Sequence, residues 1–448
     1  MKTQHYDIIV IGVGMAGLNI AKRTASAGKK VAVIDSRPYG GTCALRGCDP
    51  KKVLVGAAEL VDWQRRMTGH GVTGDARIDW TELMAFKRTF TEPVPNNLEK
   101  SLVKLNVAIY HGSAHFVDRS RLSVGDITLS ADHIVIAAGA KPQDLSIPGT
   151  EYLITSTDFL ELDPLPQRLI FIGGGYISFE FAHIAARADA NVTLLHRGER
   201  PLEGFDVDLV AQLMTASQDL EINVQVETEV TEVEQVEESF MVTTSMGQSF
   251  AADLVVHGAG RVPDIDRLDL DTGGIAHNLK RGIAVSEHLQ SVSNPAVYAA
   301  GDSADTEGWP LTPVAVHEGL IVASNLLKGN HKTPDYTGTP SVAFTVPALA
   351  RVGLTEAEAE AQGRSFTVKQ GNMSNWYTAR RTNEPHAAYK VLIEEETGEL
   401  LGAHLLSNHA AETINLFALA MRQGLTAHEL KTGIFVHPAA SSDVSYML

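Results

Sequence analysis

Cysteine is almost absent from this chain of 448 residues: there are two, Cys43 and Cys48. Two cannot make a disulfide framework, and stapling so short a loop saves little chain entropy. A structural zinc site wants about four ligands, and no second cysteine pair supplies them. Close pairs in a large cytosolic chain are more often catalytic or metal-binding, and with the further zinc ligands missing we read these two as redox-active. Long apolar runs are also missing. None reaches the roughly 18 residues of a membrane-spanning helix. A basic surplus is missing too: 37 Lys and Arg stand against 54 Asp and Glu, a net charge of −17. That makes nucleic acid and anionic membranes poor partners for the surface as a whole. No basic-then-apolar leader precedes the first expected strand, and a cytoplasmic protein is expected.

What the chain does have is enough apolar residue, 44%, for about three domains with real cores. Residues 6–12 read as a buried parallel strand. Gly12-Val-Gly14-Met-Ala-Gly17 follows, then a helical pattern to about Gly28, then a strand from Lys30 ending in Asp35. In such a unit the first glycine makes the turn and the second admits a pyrophosphate. The third packs helix on strand, the helix N-terminus holds the phosphates, and the acid takes a ribose diol. The pattern recurs as a strand from Arg168 to Ile172, Gly173-Gly-Gly175-Tyr176-Ile-Ser178 opening a helix to about Arg187, and a strand from Asn191 to Leu195. There the acid is replaced by His196-Arg197-Gly-Glu-Arg200. Arginine in that place suits a 2′-phosphate and so NADPH over NADH. Two dinucleotide units imply a relay, and FAD, NADPH and a dithiol meet that requirement. Strands around 224–226, 240–242 and 254–256 are expected to be antiparallel. Residues 340–448 read as an α+β block without a phosphate loop.

These residues resemble the class I pyridine nucleotide–disulfide oxidoreductases, whose members include glutathione reductase, dihydrolipoamide dehydrogenase and mercuric reductase. The marks fall in family order over essentially the whole length: Gly12 to Gly17; Gly40-Gly41-Thr42-Cys43-x4-Cys48-x-Pro50-Lys51-Lys52; Ile136-Ala-Ala138-Gly139; Gly173 to Glu180; Val297 to Asp302; Leu311-Thr312-Pro313; Phe344 to Pro347; and His437-Pro438. The resemblance implies an α/β protein with two Rossmann-like dinucleotide-binding domains and a C-terminal α+β dimerisation domain. The implied divisions are an FAD domain at 1–148, an NAD(P)H domain at 149–268, a central segment at 269–337 completing the FAD domain, and an interface domain at 338–448.

It also implies roles. Cys48 lies against the flavin and Cys43 faces the substrate. His437, lent to the other subunit of a homodimer, is the acid–base. Lys51 and Glu180 pair beside the flavin, and Tyr176 covers it until nicotinamide arrives. Asp302 bonds the ribityl chain, Leu311 and Thr312 contact the cofactor, and the helix starting near Thr312-Pro313 aims its positive end at the flavin. Gly41, Thr42 and Lys52, then Ala138 and Gly139, then Gly260 and Gly301 complete the cofactor contacts. No metal is implied.

Four departures bear on function. The acid that usually supports the catalytic histidine falls at Ser442, with Asp443 next. Met15, Lys22, Val94 and Leu320 occupy positions that bind glutathione in glutathione reductases, and only Lys22 keeps its charge. The last residues carry no further cysteine, and His196 stands where dihydrolipoamide dehydrogenases select NADH with an acid. Arg46 and Asp49 place charges beside the cysteine pair, either pairing with each other or steering an anionic oxidant. The expected activity is NADPH-driven, FAD-dependent reduction of a low-molecular-weight disulfide. The alternatives are a small oxidant such as hypothiocyanous acid, or dihydrolipoamide dehydrogenase-like activity. A diaphorase that bypasses the cysteines and a non-enzymatic redox sensor are the rivals from other classes.

Overall fold

The computed structural model describes residues 4–448, and the chain divides into two compact units. The first comprises the residues up to Lys51, Phe86–Gln143 and Gly260–Tyr336. Its centre is a sheet of seven strands. Ala108–His111, Val31–Asp35, Gln4–Ile11, Ile127–Ile136 and Val297–Ala299 run parallel in that order, and Arg121–Val124 and Ala114–Phe116 extend it antiparallel. Side chains alternate across a strand. Ile9 and Ile11 accordingly enter one buried cluster, and Ile8 and Val10 enter the other. Burial on both faces is why this stretch reads as a continuous apolar run.

The second unit comprises Lys52–Ala85, Asp144–Ala259 and Thr337–Leu448. Its parallel sheet runs Asn223–Gln225, Asn191–Leu195, Arg168–Ile172, Leu254–His257, Leu153–Thr155. This corrects part of the sequence reading. The strands at 223–225 and 254–257 are not antiparallel; they belong to the parallel sheet. Only Val230–Val236, Ser239–Thr244 and Ser249–Ala252 form an antiparallel set. The reason is non-local. Leu254–His257, with its last three residues buried, slots between two strands about 80 to 100 residues upstream. Apolar runs alone carry no information on pairing direction.

The C-terminal part of this unit is an antiparallel sheet ordered Ser341–Ala343, Ala348–Gly353, Leu400–Ser407, Ala388–Glu394, Phe366–Asn372. Ile414 and Phe417, on the helix Ala410–Arg422, are fully buried in a cluster with Ala350, Val391 and Leu405 of this sheet. An ionic knot with a buried pair, Lys390 and Asp206, lies in this unit. Lys390 Nζ, 1% exposed, sits 2.9 Å from Asp206 Oδ2, 2.5 Å from Asp208 Oδ2 and 3.1 Å from Glu356 Oε2. No described helix is long and apolar enough to cross a membrane.

Candidate functional site

In the first unit, the strand Gln4–Ile11 hands over to the helix Met15–Ser26 through the glycine loop. Gly12 has φ +92°, and a Cβ there would stand 2.2 Å from Ala137 O. A Cβ on Gly17 would stand 1.9 Å from Gly12 O, so only glycine lets helix and strand pack. Gly14 differs: nothing comes within 3.8 Å of its would-be Cβ. The helix begins at Gly14 with no side-chain cap among the described residues, leaving its first N–H groups to take an anion. Asp35 Oδ2 accepts from Val13 N at 2.8 Å, tying the second strand's acid to the loop. An open second glycine, an uncapped helix start and an adjacent acid fit the diphosphate and ribose of a dinucleotide.

The cysteine segment is bolted to this loop. Gly40 N donates to Val13 O at 3.1 Å, and a Cβ on Gly41, at φ +66°, would stand 2.5 Å from Gly14 Cα. The short helix Gly41–Arg46 carries Thr42 and Cys43, and Cys48 opens the helix Cys48–Met67. Both cysteines are free thiols, Cys43 half-buried and Cys48 exposed. Each thiol shifts the other's proton affinity, and Cys48 Sγ lies 3.3 Å from Thr312 Oγ1. Thr312 begins the helix Thr312–Lys328, so two helix starts converge on one sulfur.

The pair therefore gives up one proton early and holds the other. Cys48 is brought down to about 6, by the Cys43 thiol first and against burial, with Thr312 and the Lys51 ammonium helping. Cys43 is pushed up, by Cys48 first and by burial, with the Asp49 carboxylate adding to the effect. The Cys43 thiol also points to Asp49 Oδ1 at 4.0 Å. Asp49 does not pair with Arg46: among the described residues Arg46 makes no hydrogen bond or ion pair.

Gly301 and Asp302 sit in a 3₁₀ turn that reading the sequence left without support. Glu318 supplies it. This carboxylate, 1% exposed, accepts from Gly301 N at 2.6 Å, Tyr336 Oη at 2.6 Å and Thr306 Oγ1 at 2.9 Å. Burial raises both Glu318 and Asp302. The signal was present: an acid on the otherwise apolar face of a helix is expensive unless several donors meet it. Ala138, Gly139 and Gly260 lie in the same unit, where Gly260 O accepts from Gln143 N at 3.1 Å. Lys51 is buried at the unit's edge, and Lys52 reaches Glu59 at 2.9 Å and the ring of Phe344 within the second unit.

The second unit repeats the loop with one change. Gly173 has φ +113°, and the helix Tyr176–Arg187 starts at Gly175 without a side-chain cap among the described residues. Ser178 replaces the third glycine, and the strand opposite yields instead. A Cβ on Gly258 would stand 2.2 Å from Ser178 Oγ, which is fully buried and unpartnered among the described residues. Tyr176 is exposed at the loop. Glu180, 1% exposed, accepts from Phe344 N at 2.8 Å.

The two arginines part company. Arg200 donates to Phe205 O at 2.9 Å and to Glu203 O at 3.1 Å, closing its own turn. Arg197 is exposed and has no partner among the described residues. His437 is exposed, follows the exposed Val436 and precedes a cis proline bond. Asp443 is not bonded to it. That carboxylate is raised by burial and accepts the Thr378 hydroxyl, while Ser442 donates to Ala439 O within its own helix turn.

Comparison with known proteins bears on the whole chain. Residues 6–319 match the profile of the pyridine nucleotide-disulphide oxidoreductases, and residues 339–447 match that family's dimerisation domain. The chain is 32% identical to a glutathione reductase of Nostoc sp., over 98% of this chain and 99% of the relative. It is 31% identical to a mercuric reductase of Lysinibacillus sphaericus, over 95% of this chain and 79% of the relative. Its structure superposes on the HOCl-induced flavoprotein disulfide reductase RclA from Escherichia coli with a TM-score of 0.89 at 28% identity, covering 99% of both chains.

Proposed function

This chain belongs to the pyridine nucleotide–disulphide oxidoreductases, and on that footing we propose that it uses FAD and NADPH to reduce a low-molecular-weight disulfide through Cys43 and Cys48. It is an oxidoreductase of the flavin disulfide-reductase kind; the substrate, the choice of nicotinamide and the residue roles are our reading. The observation that carries it is the placement of the cysteine pair. The pair is backed onto the glycine loop through Gly41 and Gly14, and it meets the helix start at Thr312.

Bound FAD supplies the two-electron relay from NADPH to the Cys43–Cys48 disulfide. Lys51 lies close enough to favour the Cys48 thiolate. Cys43 passes its proton to the neighbouring Cys48 thiolate and, as a thiolate, attacks the substrate disulfide, forming a mixed disulfide and releasing one thiolate; that proton later goes to the second leaving thiolate. Cys48 attacks the Cys43 sulfur, the second thiolate leaves, and the internal disulfide is restored. Two electrons and two protons thus convert one disulfide into two thiols. His437 of the partner subunit protonates the first leaving thiolate, in a homodimer that the dimerisation domain supports. On the NADPH side, Arg197 takes the 2′-phosphate.

A second reading is reduction of a small oxidant by the same pair. The match to a structure described as an HOCl-induced reductase favours it. So do Met15, Val94 and Leu320, which offer no charge to a peptide's carboxylates. Turnover of NADPH against oxidised glutathione, other small disulfides and hypohalous or hypothiocyanous oxidants separates the two readings. Both require a yellow protein that gains a long-wavelength band at two-electron reduction. Full activity in Cys43→Ser would defeat both.

A further inference from the structure

Arg46 is a charge without an answer. It is half-buried one turn along the helix that starts at Gly41. Its neighbours do not satisfy it. Burial opposes its charge first; Arg37 and Arg261 repel it, and Asp35 and Asp264 favour it. Those two acids are already engaged. Asp35 accepts from Val13 N and Arg37 N, and Asp264 lies 3.6 Å from Arg37. Arg261 donates to Ala140 O at 2.5 Å. Three guanidinium groups thus gather beside two committed carboxylates.

Where Arg46 sits says what it awaits. Residues four apart on a helix share a face, so Arg46 lies below Thr42, whose neighbour Gly41 touches Gly14 of the open loop. A half-buried arginine with no partner, next to a loop shaped for a diphosphate, matches a doubly charged phosphate ligand better than any carboxylate present. We propose that Arg46 is a binding residue for the diphosphate of FAD, clamping it from the cysteine helix opposite the uncapped start of Met15–Ser26. The charge beside the redox pair then serves cofactor retention rather than substrate steering. The inference rests on the flavoprotein reading above.

The test is FAD affinity. Apo-protein prepared from wild type, Arg46→Met, Arg46→Gln and Arg46→Lys is titrated with FAD, following the quenching of flavin fluorescence. Loss of a charge-assisted phosphate contact should weaken FAD binding about tenfold or more in the Met and Gln variants, with Lys recovering part of it. Circular dichroism of the apo-proteins identifies a misfolded variant, and the remaining neutral variant then decides. FAD affinity within about twofold of wild type in a folded neutral variant overturns the proposal. So does a variant that keeps FAD and loses kcat/KM only toward anionic oxidants. If wild type itself takes up no FAD, the flavoprotein reading fails instead.

Discussion

Cys48 Sγ lies 3.3 Å from Thr312 Oγ1, a contact that spans 264 positions of sequence and joins the first residue of one helix to the first residue of another. Each helix start carries partial positive charge, and the hydroxyl adds a hydrogen bond that favours the thiolate. Alkylation of the reduced protein by iodoacetamide should therefore rise through a midpoint near 6 rather than the ordinary thiol value of about 8.5. Below that midpoint both protons stay on and reactivity falls. Thr312→Val should move the midpoint upward by about half to one pH unit, since it removes one hydrogen bond to the charged form. A pH–alkylation profile of both proteins checks this, and coincident curves would rule it out.

Arg197 and Arg200 should behave differently although the sequence offers them as a pair. Arg197→Ala should raise the KM for NADPH roughly 10- to 100-fold and leave that for NADH nearly unchanged. Arg200 spends its donors on Phe205 O and Glu203 O, so Arg200→Ala should affect both nucleotides alike through the loosened turn. Steady-state kinetics with the two nucleotides distinguishes these outcomes. Equal losses in Arg197→Ala would refute the assignment.

Lys390 and Asp206 are 1% and 2% exposed. Burial opposes the ammonium charge, but hydrogen bonds to Asp208, Asp206 and Glu356 prevail and hold the proton more firmly than usual. Lys390→Met would leave the Asp206 carboxylate buried without its cation, at a cost of about 3–5 kcal/mol. Adding Asp206→Asn should recover a large part of that. Urea unfolding of the single and double variants measures the difference, and an additive double variant would contradict the pairing.

Glu384 is 5% exposed and accepts from Asn408 N at 2.6 Å. Burial raises its carboxyl to about 7. The folded state therefore binds more protons here than the unfolded chain between the ordinary glutamate value, about 4.3, and 7. Stability from this site falls as pH rises through that window. Glu384→Gln keeps a hydrogen-bond acceptor without the charge. It should gain about 1–3 kcal/mol on wild type at pH 8 and little at pH 4.5. Denaturant midpoints at the two pH values test this, and a gain of equal size at both would count against it.

Local features were the legible part of this molecule. The strand–loop–helix–strand units at 4–35 and 168–195 follow from glycine spacing and apolar runs, because turn sterics and burial act over a few residues. Pairing direction was not legible: Leu254–His257 is parallel because of strands far upstream. The site shows the same divide. Cys43 and Cys48 announce themselves by proximity, whereas Thr312 and Glu318 act on the centre across long separations. Arg46 was visible as an odd charge, but only the folded neighbourhood of Arg37, Arg261 and Asp264 shows that Asp49 is not its partner. Asp443 stood next to the vacated acid position, yet it bonds Thr378, which lies 65 residues earlier.

Ser178 and Gly258 carry a consequence for how this sequence can drift. The serine occupies the room that a side chain at 258 would need, so the two positions behave as one inherited unit. Gly258→Ala meets the Ser178 hydroxyl in its present position, and it finds room once that hydroxyl is gone, in Ser178→Ala or Ser178→Gly, because the Ser178 Cβ stands 3.4 Å away. The order in which mutations arrive, and not their identity alone, decides which variants this lineage can reach.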